Sequence, residues 1–95
     1  MDFLLEYGIS EETIRKIIEN NEESTCFYFM AQEKNVKEVI EYLSSIKVEM
    51  IDNLLIDRIE LFFIPKEEIK NRFETYNIDV LVQLINEDIN VINNV

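Results

Sequence analysis

Apolar residues fall along this chain at intervals of three and four, the spacing that gathers side chains on one face of an α-helix. Ile14, Ile17 and Ile18 share such a face, and Val36, Val39, Ile40 and Leu43 form a full i, i+3, i+4, i+7 stripe. A third helix carries Val48, Ile51, Leu54 and Leu55, a fourth carries Ile69, Phe73 and Tyr76, and a fifth carries Leu81, Leu84 and Ile85. Local signals predict where these helices start and stop. Gly8 suits the left-handed residue that closes a short N-terminal helix. Ser10 suits an N-cap, with Glu11 and Glu12 at the positive end of the next helix and Ile9 and Ile14 in the two positions of a hydrophobic staple. Asn35-Val36-Lys37-Glu38 has the form of a capping box, which predicts a helix N-terminus with Asn35 as its cap. Pro65 opens the fourth helix in a first turn, where its missing amide hydrogen is not needed. The fifth helix follows Asp79.

Two segments resist this scheme. Thr25 to Met30 and Ile59 to Ile64 are short, aromatic and β-branched, and periodicity does not separate a buried strand from a buried helical turn at that length. If they pair, the fold is α+β with a two-stranded ribbon from 25–30 and 59–64. Composition favours the helical alternative: the chain has one Gly and one Pro, whereas sheet-rich folds need turn residues every 8–12 positions. The expectation is therefore a single all-α domain spanning 1–95, a length that allows one hydrophobic core.

The helices also recur in order. Ile9, Ile14, Ile17 and Ile18 map onto Ile46, Ile51, Leu54 and Leu55 at a constant offset of 37. Ile51, Leu54, Leu55 and Ile59 map onto Leu81, Leu84, Ile85 and Ile89 at an offset of 30, as Glu38, Val39 and Leu43 map onto Glu68, Ile69 and Phe73. The unit is a capped helix, a short apolar turn and a second capped helix, with Phe3-Leu4-Leu5 as the end of a preceding unit. The stretch from Leu4-Leu5-Glu6-Tyr7-Gly8-Ile9-Ser10 to Ile17-Ile18, with Ile59-Glu60-Leu61-Phe62-Phe63-Ile64-Pro65 further on, resembles the mitochondrial transcription termination factor (mTERF) repeat. The resemblance implies an array of about two helical units. It also implies nucleic-acid binding, because members of that family stack such units into a superhelix with a basic concave face. Two departures weigh against carrying the function over. The family's turn proline is missing, since Pro65 follows Phe62-Phe63 instead of preceding them, and so is the basic surface.

Charge decides more. Nine Lys and Arg stand against 20 Asp and Glu, a net charge of −11. Phosphate binding requires clustered cations, so nucleic acid and anionic membranes are disfavoured partners. An acidic DNA-mimicking inhibitor is the other electrostatic alternative. The chain contains no His, which removes His-dependent acid–base, nucleophilic and metal-ligating sites together, and a single Gly is too few for a phosphate-cradling loop. The expected inventory is no catalytic residue, no metal and no cofactor. The lone Cys26 reads as a buried core thiol, and Phe27, Tyr28, Phe29, Phe62, Phe63 and Phe73 read as core packing. No signal peptide or membrane span is evident, which points to the cytoplasm. The function expected is a protein-interaction module. Its candidate interface is Ile85, Ile89 and Ile92, a helical stripe with no later segment to cover it, engaging an unidentified protein partner or forming a weak homodimer.

Overall fold

The computed structural model describes residues 1–95 and contains helices only. In order these are a 3-10 helix η1 (Asp2–Tyr7), α1 (Glu11–Asn20), α2 (Glu23–Ala31), α3 (Glu33–Ser45), α4 (Ile51–Asp57), a 3-10 helix η2 (Ile59–Phe63), α5 (Lys66–Glu74), α6 (Ile78–Glu87) and a 3-10 helix η3 (Ile89–Asn94). The all-α expectation holds and the ribbon alternative fails. Residues 25–30 lie within α2, and 59–63 form η2. The reason lies in which side chains turn inward. Cys26 and Phe29 are buried, as are Ile59 and Phe62, each pair three residues apart. A strand would bury every second residue.

Most of the predicted stripe residues form the core. Ile18 and Leu84 are exposed because they lie off the inward-facing side of their helices, Tyr76 is exposed just beyond the end of α5, and Val48 is buried just ahead of α4 instead of on it. Ile17, Val36, Val39, Ile40, Leu43, Leu54, Leu55, Ile69, Phe73 and Ile85 belong to one cluster of 20 buried residues. Removing one such side chain from water is worth about 1.5–3 kcal/mol, so the α3 stripe alone outweighs any single surface contact in the molecule. Two sets of contacts fix the direction of neighbouring helices. Thr13 Oγ1 donates to Asp52 Oδ2 at 3.0 Å near the starts of α1 and α4, and Asn20 Nδ2 donates to the Ile56 carbonyl at 2.9 Å near their ends. These two helices therefore run side by side in the same direction. So do α3 and α5: Asn35 meets the start of α5, and further along the Tyr42 and Phe73 rings lie 6.1 Å apart, edge to face.

Helix ends refine the expected boundaries. Gly8 adopts φ 79°, ψ 10°, with its N–H on Leu5 and the Ile9 N–H on Leu4, which closes η1 as predicted. Ser10 accepts a hydrogen bond from the Thr13 amide at 3.1 Å, the expected N-cap of α1. Lys47 repeats the Gly8 geometry without being glycine. Its φ is 69°, and the Val48 N–H reaches back to the Leu43 carbonyl at 3.0 Å. The buried residue after each left-handed position is Ile9 in one case and Val48 in the other, a spacing of 39 instead of the 37 that separates Ile9 from Ile46, so the expected pairing of Ile9 with Ile46 does not extend from the helices into this turn. Pro65 lies just outside α5, as its N-cap. The cap of α6 is Asn77, whose Oδ1 accepts from the Val80 amide at 3.3 Å, and Asp79 sits inside the first turn.

Asn35 departs most from expectation. It lies in the first turn of α3, behind the cap position Gln32, and its side chain serves a different part of the chain. Its Nδ2 donates to the Phe62 carbonyl at 2.9 Å and the Ile64 carbonyl at 2.8 Å, while its Oδ1 accepts from the Lys66 amide at 3.3 Å. One amide side chain thereby satisfies the end of η2 and the start of α5 together.

Candidate interaction surface

The C-terminal stripe does not form an exposed patch. Ile85 is fully buried, Ile92 is 8% exposed and Ile89 packs half-buried against the same core. The connection at Asp88 is what turns them in. Its backbone is extended and its carboxylate accepts from the Asn90 amide, so η3 folds back and Ile92 borders the same small cavity as Leu61, Ile69 and Phe73. Arg58 secures the return by donating to Asn90 Oδ1 at 2.6 Å and Asn93 Oδ1 at 3.0 Å. The face predicted as an interface is thus internal core.

Apolar side chains are exposed chiefly in two regions: Tyr76 with Val80 and Leu84 on α6, which line no apolar groove, and a larger set on α1 and α2. Ile18 on α1 is 52% exposed, and on α2 Phe27 is 59%, Tyr28 51% and Met30 36% exposed. Met1, Ile18, Cys26, Phe27 and Met30 line an open groove of about 500 Å³, with Asn21 and Glu23 at its edge. The local sequence explains the exposure. The run Cys26-Phe27-Tyr28-Phe29-Met30 is apolar at every position, so a helix formed from it has no polar face to turn outward. Cys26 and Phe29 go inward, and Phe27, Tyr28 and Met30 are left outside. Tyr28 is partly sheltered by an edge-on contact with Phe63, ring centroids 4.8 Å apart. Of the aromatics expected in the core, Phe29, Phe62 and Phe73 are buried and Phe63 half-buried, while Phe27 and Tyr28 are not.

The chemistry of this surface is that of packing. Burial pushes the Cys26 thiol up from its ordinary range, with the Glu23 carboxylate adding to the effect, so it stays protonated and unreactive near neutral pH. The nearest cations are already engaged: Arg15 lies 4.0 Å from Glu12 and 3.9 Å from Glu19, and Lys16 lies 3.6 Å from Glu12. Elsewhere Lys37 pairs with Glu33 at 3.0 Å, Lys66 with Glu67 at 2.9 Å and Arg72 with Glu68 at 2.7 Å. No group of three or more Cys, Asp or Glu side chains is placed to share a metal ion, and no helix is long and apolar enough to cross a membrane. Gly8, Ser10, Asn35 and Pro65, the predicted structural positions, all lie at helix ends or junctions away from the groove lining.

One polar group in the interior has no partner. The Tyr42 hydroxyl is enclosed beside Phe73, and burial raises its pKa, with the Glu74 charge adding to the effect. Comparisons with protein-family models, with curated proteins and with solved structures return no match.

Proposed function

We propose that this protein is a short helical-repeat interaction module of the mTERF kind, working in a reducing compartment such as the cytoplasm, with a binding role and no catalysis of its own. The observation that carries this reading is the uncovered apolar groove on α1 and α2, placed on an otherwise strongly acidic surface. Apolar patches rimmed by polar residues mark interaction sites on proteins of this kind. The parallel α1–α4 and α3–α5 pairs support the repeat, because stacked units place equivalent helices side by side and pointing the same way. Net charge and the pairing of most cations with neighbouring carboxylates argue for a protein partner over nucleic acid.

A photo-crosslinking side chain at Phe27, introduced into the protein in its own cells, tests the reading against the same group at Asn71, an exposed position on α5. Defined protein adducts are expected from position 27 and not from 71. Equal adducts from both positions, or none from either, would overturn the proposal.

A further inference from the structure

We infer that the α1–α2 groove docks a basic amphipathic helix of a partner protein, lying along α1 as α1 itself lies along α4. The inference rests on the interaction reading above and adds the chemistry of the partner. Its first support is an internal precedent. On α4, Asp52 and the Ile56 carbonyl receive Thr13 and Asn20 of α1, and Leu55 in the same row is fully buried. The helical offset of 37 carries Leu55 back onto Ile18. The face that α4 offers to a helix is therefore the face that α1 leaves open. On α2, Phe27 and Met30 extend the same apolar floor.

Charge selects the occupant. Glu19, Glu22 and Glu23 follow one another along the edge where α1 passes into α2, and all three are exposed. Arg15 partly offsets Glu19 and, with Lys16, is drawn to Glu12, which leaves Glu22 and Glu23 as the uncompensated charges of this edge. The N-terminal amine of Met1, 3.6 Å from the Met30 sulfur, is a single opposing charge on the floor. A second copy of the chain would bring another net −11 to this edge, whereas a cationic helix is attracted to it. A helix with an apolar stripe and flanking Lys or Arg meets both demands, the pattern of helix-in-groove recognition.

Three synthetic peptides of Leu and Lys or Glu test this by fluorescence anisotropy with the whole protein. One has Leu at i, i+3, i+4 and i+7 among Lys, the second has the same composition with Leu dispersed, and the third replaces Lys by Glu. The first is expected to bind at least about tenfold more tightly than either of the others. The variant carrying both Ile18→Asp and Phe27→Asp should lose at least about tenfold in affinity for the first peptide. That loss is diagnostic, because two added negative charges would strengthen a merely electrostatic attraction. Both positions are exposed, and an unchanged circular dichroism melt confirms the fold. Equal binding of the dispersed peptide, or undiminished binding by the variant, overturns the inference. Sedimentation of the protein alone separates the two levels of failure. If no peptide binds selectively but the wild type dimerises and the double variant does not, the groove is an interface between copies, and the basic-helix inference falls while the interaction reading stands. If no peptide binds selectively, the protein is monomeric and Phe27 yields no crosslink in cells, both fall.

Discussion

Replacing the half-buried Asn35 should be more damaging than the loss of a helix cap, and the pattern of damage should reveal what the side chain does. In Asn35→Ala, the Phe62 and Ile64 carbonyls and the Lys66 amide all lose a partner. A hydrogen bond of this kind contributes about 0.5–1.5 kcal/mol net, so two short contacts and one longer one amount to about 2–3 kcal/mol. Position 35 lies inside α3, where Ala is the better helix former and returns about 0.5 kcal/mol. The net loss is about 2 kcal/mol, a fall of about 8–16 °C in melting temperature for a domain of this size. Urea and thermal unfolding followed by circular dichroism would measure it. Asn35→Asp is the sharper probe. If Asn35 were an N-cap, Asp would replace it with little change, since the two residues cap helices about equally well. In the observed role, Asp keeps the acceptor for Lys66 but loses both donors and sets a carboxylate against two carbonyl oxygens. It should therefore be at least as destabilising as Ala. An Asp variant within about 0.5 kcal/mol of wild type would refute the clamp.

Three further outcomes follow from the backbone and the buried titrating groups. Gly8→Val should cost about 1–2 kcal/mol in urea unfolding even though a Cβ at Gly8 meets no neighbouring atom within 4 Å, because the penalty comes from the positive φ alone. Lys47→Gly should stabilise by about 0.5 kcal/mol, relief of the left-handed strain at φ 69° exceeding the added chain entropy, and a loss of stability would refute that. Stability should decline above about pH 8.5, where an unfolded Cys ionises while burial holds the folded Cys26 thiol protonated. The folded state then binds more protons than the unfolded one, so the slope of stability against pH is negative. Tyr42 adds the same sign at higher pH, and Cys26→Ala should flatten the first part of the decline.

The helices with one apolar face were legible because their stripes are periodic and their burial is one-sided. Val36, Val39, Ile40 and Leu43 are all but inaccessible, as the spacing implied. Gly8 and Ser10 were legible for a similar reason, since an N-cap or a left-handed closure is a contact within a few residues. Asn35 was misread because its partners lie 27 to 31 residues away, and nothing within Asn35-Val36-Lys37-Glu38 distinguishes a cap from a clamp on a distant junction. Ile85, Ile89 and Ile92 have helical spacing in the sequence, but the extended Asp88 ends α6 after Glu87 and places Ile89 and Ile92 on a separate 3-10 helix, so the three do not share one helical face. Their destination depended on the turn at Asp88 and on Arg58, which lies 32 and 35 residues from its partners Asn90 and Asn93. Local pattern gives a face, and only the tertiary fold says whether that face is covered.

The groove was hidden for a different physical reason. An amphipathic helix announces an inside and an outside, whereas Cys26-Phe27-Tyr28-Phe29-Met30 announces neither. A helix that is apolar all round is ordinarily enclosed on all sides, because each exposed large side chain forgoes a share of the roughly 1.5–3 kcal/mol that burial would return. In this chain α2 is enclosed on one side only. Phe29 joins the core and Phe63 of η2 packs against it and shelters part of Tyr28, while Phe27 and the partly covered Met30 line the groove with Ile18 and the buried Cys26. Solubility would be served by Glu or Lys at positions 27 and 30, at the loss of the partly covered contacts of Met30, including that of its sulfur with the Met1 amine. Phe27→Glu together with Met30→Lys should accordingly leave the melting temperature within a few degrees of wild type, the response of surface positions away from caps and core. A large loss of stability on that substitution would mean that the two side chains serve the fold, and the case for an interface would then lose its footing.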